Sequence, residues 1–202
     1  MAPLLTAPTP CLAGREQGLW LDFALGSDAV NGQPFDLDNL CEVAFSALVG
    51  GLGWLSATRR VARPTGCAVT IHAERASRRP QVPPLASGVY PGPLPRTARD
   101  PDLAALAASI PVCRGGGGPF SLGIAFGGAI NIGDIATGRV KAVIDCLYPW
   151  LGGTCGAPED HRISALHVEQ EAAGVPAGSV SISLWAATAE TPPAIAEGGE
   201  SA

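Results

Sequence analysis

Two carboxylates with one residue between them, just ahead of an apolar stretch, form the most specific string in the chain: Asp36-Leu37-Asp38-Asn39-Leu40. Acids at i and i+2 entering a helix can converge on one hard cation, which takes oxygen ligands. A cation held there can align a water and stabilise a leaving oxygen in phosphate chemistry. The same residue types are also favoured at helix N-termini for capping and for their interaction with the helix dipole. Spacing alone leaves both readings open. A second position stands out by composition: of 13 basic residues, one is a lysine, Lys141, with Asp145 four residues on as an i,i+4 partner.

Other chemistries find less support. The six cysteines, Cys11, Cys41, Cys67, Cys113, Cys146 and Cys155, form no C-x-x-C pair, so neither zinc nor thioredoxin-like chemistry is indicated. Their wide spacing suits reduced thiols in a cytoplasm. His72, His161 and His167 have no metal-binding spacing, and no nucleophile elbow accompanies them. Arg114-Gly115-Gly116-Gly117-Gly118 lacks the Lys-Ser/Thr ending of a phosphate loop. Trp20, Trp54, Trp150 and Trp185 are read as core or interface residues.

The elements that position these residues follow from periodicity. Within 202 residues, 47 % are hydrophobic, which supports a globular protein, and 26 Gly and 19 Pro imply many turns. Strands are expected at Leu19–Leu25, Cys67–His72, Phe120–Phe126, Ile163–Glu169 and Ser179–Ala186. Leu40, Val43, Ala44, Ala47 and Leu48 make one face of a helix from about Leu40 to Val49; Val140, Val143, Ile144 and Leu147 do so for Thr137–Leu147. A short helix is expected over Asp100-Pro101-Asp102-Leu103 to Ser109, with Asp100 as its cap and Pro101 in its first turn.

The order strand, loop, helix, strand occurs twice. Leu21, Phe23, Leu25 and Gly26 match Leu122, Ile124, Phe126 and Gly127, and Phe45-Ser46-Ala47-Leu48 matches Ile144-Asp145-Cys146-Leu147. The chain therefore divides into a leader with little structure (1–18), a first half (19–75), a Pro/Gly-rich linker with one short helix (76–119), a second half (120–186) and an acidic tail expected to be disordered (187–202). The expected class is α+β, built from duplicated units that form an internal pseudo-dimer.

The string from Asp36 to Leu48, followed by Gly53-Trp54-Leu55, resembles the central motif of the RusA-type Holliday-junction nucleases: Asp-x-Asp-Asn-Leu-x-Lys, an apolar helix, a Gly/Trp segment, then paired aspartates before a strand. That family is homodimeric, Mg²⁺-dependent and cuts four-way DNA junctions. The resemblance implies that Asp36 and Asp38 are metal-binding aspartates. Glu42 stands at the lysine position of this half, and Ser56-Ala57 at the paired-acid position. The second half is similar to the complementary part. Val140-Lys141-Ala142-Val143-Ile144-Asp145-Cys146-Leu147 matches the lysine-bearing helix, and Glu159-Asp160 matches the paired acids, while Ile135-Ala136-Thr137-Gly138 replaces the leading acids and Asp134 falls one residue out of register. The resemblance thus implies one composite site: Asp36, Asp38 and Asp160 on a Mg²⁺ ion, and Lys141 as the catalytic lysine.

Two functions follow from that resemblance: an endonuclease acting on branched DNA in recombination or repair, or a catalytically inactive relative that binds DNA or protein. Net charge is −5, unlike most proteins that live on DNA. Six arginines between Arg59 and Arg79, opposed by Glu74 alone, give that stretch +5 and offer a phosphate-facing patch. The loop Ser27–Pro34, basic in the family, has no Arg or Lys, which weighs against junction binding, and the low positive charge favours a protein partner. No apolar run is long enough to span a membrane, and the N-terminal segment lacks the form of a secretory signal, so a cytoplasmic protein is expected, as a monomer acting as a pseudo-dimer or as a homo-oligomer.

Overall fold

The protein is described by a computed structural model covering residues 4–5, 18–26, 36–45, 53–63, 65–74, 79–97, 99–112, 118–130, 132 and 138–187. The elements in chain order are β1 (Leu4–Leu5), β2 (Gly18–Gly26), α1 (Leu37–Phe45), β3 (Trp54–Arg63), β4 (Cys67–Glu74), β5 (Ala86–Tyr90), α2 (Asp102–Ser109), β6 (Phe120–Phe126), α3 (Arg139–Asp145), α4 (Tyr148–Leu151), β7 (Gly153–Thr154), β8 (Ala157–Pro158), a 3-10 turn (Asp160–Arg162), β9 (Ile163–Glu169) and β10 (Val180–Ala186). This is an α+β architecture dominated by one sheet.

Eight strands join in the order β1-β4-β2-β3-β9-β6-β10-β5. β2 and β3 run parallel and are joined through α1; β4 then returns antiparallel along the outer side of β2. The second half repeats those steps: β6 and β9 run parallel with α3 and α4 between them, and β10 returns antiparallel along the outer side of β6. The two units meet at the antiparallel pair β3–β9, where Ala57 lies opposite Leu166.

Strand alternation gives the sheet two unlike faces. Leu19, Leu21, Phe23 and Leu25 of β2 join Leu55 and Ala57 of β3, Leu166 and Val168 of β9, and Leu122 and Ile124 of β6 in the main core. Helical residues close over that face: Leu37, Leu40 and Cys41 of α1, Val140, Val143 and Ile144 of α3, and Leu103 and Leu106 of α2. The other face carries Trp20, Asp22, Trp54, Ser56, His167, Ser121, Ser183 and Trp185, all buried. Packing there is close: the Trp54 ring occupies the space a Cβ on Gly18 would need, 2.1 Å from its nearest ring atoms.

Several sequence expectations change here. β3 was not anticipated as a strand; three arginines hid its alternation. Ser56 and Ala57, aligned with the paired acids, sit within β3 near its start, whereas Glu159 and Asp160 precede β9, so the two pairs are not equivalent in place. The 76–119 segment does more than link, since β5 extends the sheet beside β10 and α2 packs into the core. Leu4–Leu5, in the leader, pairs parallel with β4. Pro149 sits in the first turn of α4, where its missing N–H costs nothing. The expected helix through Val49 runs beyond Phe45 into residues outside the described ones, as do the Ser27–Pro34 loop, the Asp134–Thr137 segment and the tail from residue 188.

Candidate metal centre

Asp36 stands immediately before α1, and its carbonyl accepts the first helical bond from Leu40 N–H at 3.1 Å. Its carboxylate accepts instead from the Asn39 side-chain amide at 3.4 Å. Asp38 lies in the first helical turn and is 2 % exposed. Leu37, Leu40 and Cys41 anchor α1 in the core, so the orientation of both acids is fixed by apolar packing around them.

The second half supplies the rest. Lys141 and Asp145 lie one turn apart on α3. Gly152 and Gly153, both at positive φ, let the chain reverse after α4 into the β7–β8 hairpin and come back at Glu159 and Asp160. Asp160 then opens the 3-10 turn that leads into β9.

These pieces converge. Ligand oxygens of Asp36, Asp38 and Asp160 all lie within 4.8 Å of one another. Lys141 Nζ sits 2.8 Å from Asp160 Oδ2, 3.0 Å from Asp38 Oδ2 and 3.4 Å from Asp145 Oδ1. The lysine therefore binds across both halves as well as to its i,i+4 neighbour. Asp38 Oδ2, although close to that ammonium, receives no well-aligned hydrogen bond and is fully buried. Two metal–oxygen bonds end to end span about 4.2 Å for Mg²⁺ and about 5 Å for Ca²⁺, so the triad has the dimensions of a divalent-cation site. An all-carboxylate donor set suits those hard ions.

Arg59, expected from the sequence only as part of an arginine patch, completes the cluster. On β3 it shares the parity of Leu55 and Ala57 and so points toward the core face. Its Nε donates to the Ile163 carbonyl at 3.0 Å, and a terminal nitrogen donates to the His161 carbonyl. A first-half side chain thus grips the second-half turn that presents Asp160. Arg162 secures the same turn, donating to the Leu151 carbonyl and lying 4.7 Å from the Phe120 ring centroid.

The electrostatics reflect four carboxylates against two cations. Burial raises the Asp36 pKa to about 6, with the Asp160 and Asp38 charges adding to the shift and Lys141 opposing it. Burial likewise raises Asp145, again against Lys141. For Lys141, burial acts downward, but its contacts with Asp160 and Asp38 more than offset it and hold the ammonium charged. Burial lowers the Arg59 pKa, and the charges of Asp36, Asp160 and Asp38 oppose that shift.

The four residues expected to share a site, Asp36, Asp38, Lys141 and Asp160, are therefore neighbours. The arginine run is not one surface. Arg59 turns to the acidic cluster, while adjacent Arg60 projects to the opposite face and pairs with Asp22 at 2.9 Å. Arg79 donates to Ser183 Oγ at 3.1 Å and stacks over Trp185. Strand alternation thus parts Arg59 from Arg60, while Arg60 and Arg79 both meet side chains of the face opposite the acidic cluster; Arg75 and Arg78 lie outside the described residues. No helix among the described residues is long and apolar enough to cross a membrane. No family model, curated protein or solved structure matches the chain.

Proposed function

We propose that the chain is a RusA-like nuclease on an internal pseudo-dimer, hydrolysing phosphodiester bonds of branched DNA with Mg²⁺ in recombination or repair. The observation that supports this reading is the convergence of Asp36 and Asp38 from one half with Asp160 and Lys141 from the other. The repeated strand connectivity around β3–β9 is consistent with two related halves.

Asp36, Asp38 and Asp160 would hold the ion. When bound, it supplies a positioned water nucleophile and charge stabilisation at the phosphate. Lys141, which lies against Asp38 and Asp160, would offer its ammonium to the phosphate oxygens, where charge develops. Asp145 keeps the lysine oriented from one turn away. Arg59 fixes the main chain around Asp160, so the third ligand depends on a residue from the other half. Asp36, half protonated near pH 6, must lose its proton to serve as a ligand.

An inactive accessory protein of the same fold is the second reading. It is favoured by the close neutralisation of Asp38 and Asp160 by Lys141 and by the net charge of −5. Cleavage assays on four-way, forked and linear DNA, with Mg²⁺ or EDTA, separate the two. The nuclease reading expects metal-dependent cleavage of branched DNA that Asp38→Asn removes. Equal behaviour of wild type and Asp38→Asn overturns it.

A further inference from the structure

We propose that a cleft beside the start of α3 is a subsite for the sugar–phosphate backbone of DNA flanking the bond to be cut; this rests on the nuclease reading above. The cleft has a volume of about 270 Å³ and lies where residues 93–96, the end of β6 and the turn before β10 meet. Its walls include Leu94, Phe126 and Ile130, and two arginines, Arg96 and Arg139, line it. Both are exposed, and among the described residues neither guanidinium has a hydrogen-bond or ion-pair partner. The acid nearest to Arg96 in sequence, Asp100, is used otherwise: its carboxylate accepts the main-chain N–H groups of Arg96 and Asp102 at 3.3 Å each.

Two exposed guanidinium groups on one concave surface, without a partner among the described residues and in a chain of net charge −5, select an anion with more than one charged group. Arginine's planar fork suits phosphate oxygens. The apolar walls add contact for sugar or base, as in strand-binding grooves. Position relates the cleft to the acidic centre. Arg139 precedes Lys141 by two residues on α3, so their Cα atoms are about 5.4 Å apart and their side chains leave the helix about 200° apart. The cleft therefore lies on another flank of α3 from the acidic cluster, which suits phosphates a few nucleotides away from the one attacked. Arg96 comes from the 76–119 segment, which gives that segment a role in substrate binding as well as in the sheet.

The test is fluorescence anisotropy with a labelled four-way junction and a labelled single strand, in Ca²⁺ to suppress cleavage, across a salt series. The variants are the Arg96→Ala/Arg139→Ala double substitution, Arg96→Lys/Arg139→Lys, and Arg99→Ala as an exposed arginine outside the cleft. The double alanine variant is expected to bind about tenfold more weakly, with a salt slope shallower by about 1.8, since each phosphate contact contributes about 0.9. The double lysine variant should recover most of the slope, and Arg99→Ala should match wild type. The thermal shift produced by Mg²⁺ alone should be the same in all four proteins. A double alanine variant with wild-type affinity and slope, beside a wild type that binds, overturns the subsite alone. A wild type that binds neither DNA overturns the subsite and the nuclease reading together.

Discussion

Two buried polar clusters lie on opposite faces of the same sheet, and they are built on opposite principles. On one, Asp36, Asp38, Asp145 and Asp160 crowd around Lys141, with Arg59 behind them. On the other, His167 bridges Ser56 Oγ at 2.9 Å from Nδ1 and Ser121 Oγ at 3.1 Å from Nε2. The histidine cluster is neutral: burial, aided by the Arg79 charge, lowers the His167 pKa to about 4. Its hydrogen-bonding capacity is met internally. The acidic cluster has more negative than positive charge and a buried Asp38 oxygen without an aligned donor. A satisfied cluster holds strands together, whereas one with surplus charge gains by admitting a cation.

The largest expected effect separates them by function. Asp38→Asn should lower Mg²⁺-dependent cleavage by about 100-fold or more, since even groups that only orient metal ligands are worth 10–100-fold. His167→Ala should leave the response to Mg²⁺ unchanged. Next comes Lys141→Ala, which leaves the carboxylates facing one another. In EDTA it should unfold about 3 kcal/mol more easily in a urea titration, and Mg²⁺ should recover more stability in this variant than in wild type. His167→Ala should cost about 2–4 kcal/mol, because it opens a cavity and strips the Ser121 hydroxyl of its partner.

Acid should act on the clusters with opposite signs. The folded pKa of Asp36 lies above its ordinary value of 3.8, so its favourable contribution is full below that value and is lost as pH rises through about 6. The folded pKa of His167 lies below its ordinary value of 6.5, so its contribution is full above 6.5 and is lost as pH falls toward 4. Asp36→Asn should therefore steepen the loss of stability between pH 6 and 4, and a His167→Gln variant should flatten it, both read from urea midpoints. In wild type the stabilisation by Mg²⁺ should be larger at pH 8 than at pH 5. The smallest effect belongs to Arg60→Ala. It breaks the half-exposed pair with Asp22, which retains Thr58 as a donor at 3.2 Å, and should cost about 1 kcal/mol with cleavage unaltered.

Legibility in the sequence followed the physics of each element. Phe120–Phe126 and Ile163–Glu169 were delimited correctly because nearly continuous apolar runs end at glycine or polar turns. β3 was missed because Arg59, Arg60 and Arg63 mask its alternation; what makes it a strand is pairing on both sides with β2 and β9. β5 was missed among prolines, since an edge strand needs only one partner and tolerates them nearby. In the site, Asp36 and Asp38 were visible from spacing alone. Lys141 stands out by composition, but its place in the site, and Asp160 altogether, come only through a family resemblance, because both meet the first-half acids across more than a hundred residues. Arg59 could have been read by parity once Trp54, Leu55 and Ala57 were placed on a strand.

The acidic triad is the sole such carboxylate grouping among the described residues, although the connectivity around it is doubled. If that centre cuts DNA, one encounter breaks one strand. The product from a supercoiled circle would then be a nicked circle, and severing both arms of a crossover would require two successive visits or two copies of the chain bound at once.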